Sequence, residues 1–220
     1  QICSEGVEIT AGPRRFDEVA QLLVPLRVPD LPVVLWCRGP SAFSLRAFDA
    51  LFPLADKIIF DSSAVPAAGA ALGFLRRLRA RGYRVSDLDW TRLTGWREIL
   101  AHLFDNHALR PSGVSSARVI YGGSEASASA LYFASWIGNA LPDARVRLEA
   151  ARESEPGLRS VVLIGSKEEI ALTKTGGSCI DVKGSGRDYR SPLPPVDEQA
   201  LMREELKIIG PDPVFERVLG

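Results

Sequence analysis

The chain has 220 residues, of which 46% are hydrophobic and 25% are charged. A chain of this length and composition can bury a substantial core. Lysine plus arginine and aspartate plus glutamate each number 27, so the formal net charge is zero. That balance excludes a strong long-range field toward nucleic acid or an anionic membrane. No apolar run approaches the roughly 20 residues that span a bilayer, so we expect a cytoplasmic protein that binds neither nucleic acid nor a membrane.

The three cysteines, Cys3, Cys37 and Cys179, are far apart and form neither a zinc-binding spacing nor a disulfide framework. Cys37 lies within an apolar run, which favours a buried small side chain over a nucleophile. Free thiols without a signal peptide are typical of a reducing cytosol. Because the first residue is Gln1 rather than Met, we expect an upstream region to be missing.

Residues 1–30 form a weakly patterned N-terminal segment. From residue 31 to residue 143, short apolar runs alternate with amphipathic stretches, and this alternation predicts buried strands joined by helices in a parallel sheet. In chain order the predicted elements are a strand over 33–37, a helix through Leu45, Phe48, Leu51 and Phe52, a strand over 57–61, a helix over 67–81 closed by Gly82, a short segment over 85–90, a helix over 93–104, a strand over 118–121 and a helix over 125–141.

The pattern changes near residue 144. Four short predicted strands follow, over 145–150, 158–164, 168–173 and 178–182, and their spacing is typical of an antiparallel meander. Residues 192–220 begin with a proline-rich link and continue into a helix over 197–209 and an apolar tail. The predicted fold class is therefore α/β. It has a parallel-sheet, three-layer core of βα units at 31–143, an antiparallel β extension at 144–191 and a C-terminal helix at 192–220.

Three loops follow predicted parallel strands and are expected at one carboxyl edge, where ligands of open α/β sheets bind. Exposed amides, hydroxyls and a guanidinium there could hold a phosphate or sugar phosphate. The other interpretation is that these residues cap helices and form turns. The sequence contains neither of the nucleotide-binding motifs GxGxxG and GxxxxGK(S/T). The candidate ligand-binding residues are Arg38, Gly39, Ser62, Ser63, Gly122, Gly123 and Ser124.

No catalytic constellation can be identified from the sequence. His102 and His107 are five residues apart, so on one helix they would lie on different faces and would not share a metal. Asp87 and Asp89 resemble helix-initiating residues as much as acid and base groups. No GxSxG motif marks an activated serine. The sequence therefore predicts no cofactor, no metal and no catalysis, although an enzyme or sensor of sugar phosphates or nucleotides that uses the three loops stays open.

The stretch from Asp87 to Glu98 has two tryptophans and two arginines around a predicted helix start. Trp and Arg dominate binding hot spots, and Arg92 could stack on Trp96 four residues later. Trp96 itself fits the core-facing stripe. The candidate partner-binding residues are Trp90, Arg92, Arg97 and, from the apolar C-terminal tail, Phe215.

Three segments resemble the glucose-6-phosphate dehydrogenase assembly protein family (OpcA). They are Leu31–Trp36, Ala55–Ser63 and Asp87–Glu98, and the last, DLDWTRLTGWRE, is the most specific. The resemblance extends from about Cys3 to the C-terminus, and the family's N-terminal portion is expected to be absent.

The resemblance implies a non-catalytic partner of glucose-6-phosphate dehydrogenase. Such a protein promotes assembly of the active oligomer or shifts its response to substrate, and thereby supports NADPH production in the oxidative pentose phosphate pathway. No catalytic residues are carried over from the family. Protein–protein binding is therefore the expected mode of action.

Overall fold

The strands divide between two sheets, and helices pack between and around them. The structure, a computed structural model, describes residues 6–12, 15–43, 46–106, 111–151, 155–166, 168–176, 178–184 and 188–220. Cys3, His107 and Leu45 lie outside the described residues. The predicted α/β fold class, with a parallel sheet, an antiparallel portion and C-terminal helices, is confirmed.

The strands are β1 (Val34–Trp36), β2 (Lys57–Phe60), β3 (Val85–Asp87), β4 (Val114–Gly122), β5 (Arg145–Ala151), β6 (Gly157–Gly165), β7 (Glu169–Thr175), β8 (Cys179–Lys183) and β9 (Tyr189–Pro192). The α-helices are α1 (Phe16–Leu23), α2 (Ala68–Ala80), α3 (Leu88–Arg92), α4 (Thr94–Asn106), α5 (Ala128–Ala140), α6 (Glu198–Leu206) and α7 (Pro213–Leu219). Among the described residues, none of the helices is both long enough and apolar enough to cross a membrane.

The first sheet has three parallel strands in the order β1-β2-β3. All four residues of the central strand β2 are buried. The apolar run of Ile58, Ile59 and Phe60 predicts their burial, whereas Lys57 is buried with its charge paired. Helix α2 buries Leu72, Leu75 and Leu78 and is followed by Gly82 at a φ of 88°. The predicted helix over 67–81 and its glycine terminator are therefore confirmed, because only glycine adopts this backbone conformation without strain.

The predicted helix around residues 45–52 is wrong. The chain forms separate 3₁₀ turns there, at Pro40–Phe43, Arg46–Ala50 and Phe52–Leu54. Pro53 lacks a backbone N–H and disfavours α-helical backbone at the residue before it, so an α-helix that continues through Phe52 is opposed at its C-terminal end. The apolar spacing nevertheless predicted correctly which side chains face the core, since Phe52 is fully buried and Phe48 packs against the core.

The second sheet has six strands in the order β5-β4-β6-β7-β8-β9. Strands β6 to β9 form the antiparallel meander. The assignment of residues 145–150 to that meander is wrong, because β5 pairs in parallel with β4. Helix α5 joins these two strands, and a helical crossover is the connection that parallel neighbours require. Strand β9, which the sequence pattern did not predict, extends the sheet.

Helix α5 lies between the two sheets. It packs on β4, β5 and β6 and also contacts α2, α3 and α7. Its Phe133 ring meets Trp96 of α4 edge-on, and its Tyr132 ring meets Phe215 of α7. Cys37, Trp96 and the apolar residues of α7 all belong to the shared core, so the predicted burial of Cys37 and Trp96 is confirmed. Burial raises the pKa of the Cys37 thiol to about 12, which makes it a poor nucleophile.

A buried ion pair ties the first sheet to helix α6. The Lys57 ammonium donates to the carbonyl oxygens of Glu205 at 2.7 Å and Ile208 at 2.8 Å, and its nitrogen lies 2.7 Å from a carboxylate oxygen of Glu205. The Thr91 hydroxyl donates to the same carboxylate. Both charged side chains are almost excluded from water, so the removal of one leaves the other without compensation.

Replacing this lysine should therefore cost more stability than replacing an exposed one. We expect Lys57→Met to lower the free energy of unfolding by about 3–5 kcal/mol, measured by urea denaturation at neutral pH. Lys207→Met is the matched control, because Lys207 pairs with Glu204 at the surface and such pairs contribute about 1 kcal/mol or less. Equal losses in the two variants would contradict a structural role for the buried pair.

Candidate functional site

Three aspartates collect at the carboxyl ends of β2 and β3. Asp61 directly follows β2, Asp87 ends β3, and Asp89 lies in the first turn of α3. Asp87 and Asp89 are buried and Asp61 is partly buried. We call Asp61, Asp87 and Asp89 the aspartate cluster. Because ligands of open α/β sheets bind at this edge, the cluster occupies the position at which a functional site is expected.

Asp87 is the most enclosed member. Its Oδ1 accepts the backbone N–H groups of Ser62 and Asp89, both at 3.0 Å, and its Oδ2 accepts the hydroxyl of Tyr132 at 2.7 Å. Burial raises the pKa of Asp87, and the hydrogen bonds from Ser62, Asp89 and Tyr132 only partly oppose that rise. Burial, followed by the proximity of Asp87, also raises the pKa of Tyr132 well above its usual value. Tyr132 is therefore a hydrogen-bond donor and not a base.

Asp61 forms a two-pronged ion pair with Arg92. Its carboxylate accepts hydrogen bonds from both terminal nitrogens of the Arg92 guanidinium, at 2.7 Å each, and from the backbone N–H of Ser63 at 3.1 Å. Burial alone would raise the pKa of Asp61, but the hydrogen bonds from Arg92 and Ser63 and the positive charge of Arg92 lower it overall. The pair is of the fork-to-fork kind that fixes orientation as well as charge, and it holds α3 against the end of β2.

Asp89 faces the beginning of α5. Its carboxylate accepts the backbone N–H of Ser129, while the Ser127 hydroxyl caps the same helix end through the N–H of Ala130. Burial, followed by repulsion from Asp87, raises the pKa of Asp89 to about 7, and the charge of Arg92 only partly offsets this. Its Oδ2 is buried and has no hydrogen-bond partner among the described residues. Asp89 is thus the one cluster member with an unused buried acceptor.

The predicted carboxyl-edge loops do not converge as expected. Ser62 and Ser63 lie beside the aspartate cluster, but their N–H groups donate to carboxylates of the chain itself. Arg38 pairs with Glu198 of α6 at 2.8 Å and stacks on Trp36. The remaining candidates are Gly39 and the residues at the end of β4: Gly122, which ends that strand, and Gly123 and Ser124, which follow it. Strand β4 belongs to the other sheet. The expectation of one shared edge is therefore wrong, because β4 never joins the first sheet.

The proposed partner-binding side chains are largely internal. Trp90 is 2% exposed and Phe215 is 1% exposed, so the expectation that they lie on a contact surface is wrong. The Trp90 indole N–H donates to Asp212 at 3.1 Å, and its ring packs against Tyr132 and Phe215. Large aromatic side chains suit a core as well as an interface.

The arginines of the same stretch support this core. The Arg97 guanidinium stacks on the Trp90 ring at 3.8 Å, and Arg92 binds Asp61 instead of stacking on Trp96. A break between α3 and α4 at Leu93 removes the continuous helical spacing on which the Arg92–Trp96 expectation depended. Exposed large hydrophobic side chains occur elsewhere, including a group in the N-terminal segment: Leu22, Val24, Leu26, Val28 and Leu31.

Sequence reasoning missed Asp61, Asp89 and Tyr132 as parts of one site. Asp61 directly follows the apolar run of β2, which is the available sequence signal for a polar strand terminus. Asp87 follows Val85 and Ser86 and has no such signal. Nothing local indicates that Tyr132, 45 residues after Asp87, donates to it. In the described part of the chain, no group of three or more His, Cys, Asp or Glu side chains is arranged to hold a metal ion.

The fold of the chain is similar to that of solved α/β proteins. A 3-ketoreductase from Actinomadura kijaniata, solved with NADP and TDP-benzene, aligns with a TM-score of 0.55 at 11% identity over 94% of this chain and 83% of that chain. A dehydrogenase from Clostridium difficile aligns with a TM-score of 0.51 at 8% identity over 84% of this chain and 74% of that chain. Identities this low show a shared fold and carry no activity across.

The family is shown by the sequence itself. Residues 83–219 match the family model for the C-terminal domain of a glucose-6-phosphate dehydrogenase subunit, and residues 1–79 match the model for the N-terminal domain of the same protein. The chain therefore belongs to the OpcA family of glucose-6-phosphate dehydrogenase subunits. The match to the N-terminal domain model begins at residue 1 of this chain.

Curated relatives are longer proteins. An OpcA protein of Synechocystis, whose name refers to the OxPP cycle, is 29% identical over 104 residues, covering 47% of this chain and 22% of the relative. The OpcA protein of Nostoc punctiforme is 25% identical over 141 residues, covering 64% of this chain and 30% of the relative. The aligned portion thus represents less than a third of each of these two relatives.

The carboxyl edge of the first sheet does not fit NADP, the cofactor of the 3-ketoreductase. Its strands follow the order β1-β2-β3, so the described part of this sheet has no reversal of strand order, and such a reversal forms the ligand crevice of open α/β sheets. The amides of Ser62 and Ser63 already donate to carboxylates. A pyrophosphate placed here would meet the negative charge of the aspartate cluster. We therefore assign no cofactor step to this edge.

The elevated pKa of Asp89 makes stability depend on pH. The folded protein keeps the Asp89 proton up to about pH 7, whereas an unfolded aspartate releases it near pH ~3.9. The folded state therefore binds more protons in this window, and the contribution of Asp89 to stability falls as the pH rises from about 4 to about 7. The raised pKa of Asp87 acts in the same direction.

Asp89→Asn should remove this dependence, because the amide stays neutral and its oxygen still accepts the Ser129 N–H. The free energy of unfolding of the variant minus that of the unsubstituted protein should be larger at about pH 8 than at about pH 5. Denaturant unfolding of both proteins at both pH values measures this difference. Asp17→Asn on the exposed helix α1 serves as control and should shift stability equally at both pH values. A pH-independent difference for Asp89→Asn would contradict the assignment.

Proposed function

We propose that the chain forms part of a non-catalytic subunit that assembles or activates glucose-6-phosphate dehydrogenase in the oxidative pentose phosphate pathway. The observation that carries the proposal is the consecutive match of both domains of the glucose-6-phosphate dehydrogenase subunit family, over residues 1–79 and 83–219. A cytoplasmic location is part of the proposal, since the dehydrogenase supplies NADPH there.

The geometry of the candidate site supports a binding role over a catalytic one. Both oxygens of Asp87 accept hydrogen bonds from backbone amides or Tyr132, and Asp61 is paired with Arg92. A general acid or base must reach a substrate proton, and a nucleophile must be exposed beside its base. Asp87 is fully buried and Tyr132 donates to it, so this pair stabilises the fold and does not face a substrate.

An activator must bind one state of its target more tightly than another. A shift from mostly inactive to mostly active enzyme requires about 5.5 kcal/mol of differential affinity, and a stable protein interface buries on the order of 1,600 Å². Because Trp90 and Phe215 are internal, that interface must use other side chains of the subunit.

The test uses the full-length subunit, including any residues that flank this chain, with the dehydrogenase from the same organism. We expect the two proteins to co-elute in size-exclusion chromatography. We also expect the subunit to raise activity at low glucose 6-phosphate or to increase the oligomer size of the enzyme. An unrelated protein at equal concentration is the control. The proposal fails if the proteins neither co-elute nor change the kinetics.

The alternative, an enzyme or sensor of sugar phosphates, has less support because the Ser62 and Ser63 amides are already occupied by Asp87 and Asp61. We expect millimolar glucose 6-phosphate, other sugar phosphates and nucleotides to leave the melting temperature of the protein unchanged. Binding at concentrations 100-fold above Kd would stabilise the folded state by about 2.7 kcal/mol, which a thermal-shift measurement detects. A reproducible increase with one ligand would favour the alternative.

A further inference from the structure

Strand β5 forms one edge of the six-stranded sheet, and β4 is the one described strand that pairs with it. Its register with β4 continues without a bulge from Ser116–Arg145 to Gly122–Ala151. The opposite edge, β9, has four residues and ends in proline. Short strands, bulges and prolines protect sheet edges from pairing with other chains. Strand β5 has seven residues and uses none of these three devices; the protection that it carries is charge, at Arg145, Arg147 and Glu149.

The outer part of β5 combines exposed charge with exposed apolar surface. Arg147 is exposed, Glu149 is partly exposed, and Leu148 between them is 40% exposed. Register with β4 places Leu148 on the face that α5 covers, whereas Arg147 and Glu149 lie on the opposite face. An edge strand that carries both signs of charge around an exposed leucine can pair with a complementary strand.

The sequence of β5 is complementary to itself. When two copies of β5 run antiparallel about a two-fold axis at Leu148, Leu148 lies opposite Leu148 of the second copy. Arg147 then lies opposite Glu149 of the second copy, and Glu149 lies opposite Arg147. Opposite charges on directly facing residues stabilise a strand pair, and like charges destabilise it. Any other partner strand would need this charge order independently, whereas a second copy supplies it by symmetry.

The charge on β4 bears on this arrangement, because Arg118 lies directly opposite Arg147 of its own chain. Pairing of Arg147 with Glu149 of the second copy would offset this like-charge contact. Within one chain, Arg118 lies 3.6 Å from the Glu149 carboxylate and 4.0 Å from that of Glu169. In the paired form, Glu149 would lie between Arg118 of its own chain and Arg147 of the second copy. Its single negative charge would be shared by two guanidinium groups on the same face of a continuous sheet.

We propose that the protein forms a symmetric dimer through antiparallel pairing of β5 with β5 of a second copy, centred on Leu148. The proposal is independent of dehydrogenase binding, because it concerns the protein alone. It joins two six-stranded sheets into one of twelve strands and covers the β5 edge of each, so that only the short β9 edges remain.

The first test is sedimentation of the purified protein over a range of concentrations, with charge-reversed variants. We expect a monomer–dimer equilibrium. Arg147→Glu should weaken it at least tenfold, because glutamates then face one another in both symmetry-related pairs. The double variant Arg147→Glu/Glu149→Arg restores opposite charges and should recover dimerisation. Arg203→Glu, an exposed site on α6 with the same change in net charge, is the control and should dimerise normally.

The second test is specific for the register. Leu148→Cys should form a disulfide-linked dimer under mild oxidation, because directly opposed Cα atoms in antiparallel strands lie about 4.5–5.5 Å apart. Ala150→Cys, two residues along the same face, is the matched control. Its counterpart in the second copy would be offset by about 14 Å along the strand, so it should not cross-link.

Three results would overturn the proposal. They are a monomer at every concentration, a dimer unaffected by Arg147→Glu, and equal cross-linking of the two cysteine variants. Far-ultraviolet circular dichroism of each variant establishes that the fold is retained, and recovery by the double variant separates loss of pairing from loss of folding.

Discussion

The carboxylate of Asp87 is the point at which the two halves of the molecule meet. It ends β3 in the first sheet, holds the turn after β2 through Ser62, and receives the hydroxyl of Tyr132 from α5. Helix α5 also lies on β4, β5 and β6 of the second sheet. A fully buried acid is costly unless its oxygens are hydrogen-bonded. The relative positions of β2, β3 and α5 are therefore restricted by the need to satisfy one side chain.

This constraint explains why a shared fold does not bring a shared active site. In open α/β sheets, exposed amides and helix N-termini at the carboxyl edge attract phosphate groups. Here Asp61 and Asp87 accept those amides after β2, and Asp89 accepts an amide at the N-terminus of α5. Carboxylates of the chain itself therefore occupy the positions at which a phosphate group would bind. An edge used in this way stabilises the fold, and the amides of Ser62 and Ser63 are not free to bind an anionic ligand.

Periodicity predicted the parts of the fold that depend on local sequence. The apolar run of β2 and the glycine after α2 were enough to identify those elements. The apolar spacing around residues 45–52 indicated burial but not the 3₁₀ turns that form there, and Pro53 opposes an α-helix through Phe52. The direction of β5 could not be predicted because strand pairing is non-local. The Asp87–Tyr132 contact spans 45 residues, and no local pattern encodes such a pairing. Trp90 and Phe215 were misplaced because aromatic residue types suit cores and interfaces equally.

The stretch that identifies the family is thus part of the core, and this separates recognition of the family from recognition of the partner. Trp90, Arg97 and Asp212 hold α3, α4 and α7 together, so their contribution to the fold does not depend on contact with another protein. In a dimer paired along β5, every remaining surface would occur twice, in a fixed symmetric arrangement. An oligomeric dehydrogenase could then be bound at two equivalent positions, and the second contact would gain from the effective concentration set by the first. A modest surface on each copy would suffice for stable assembly.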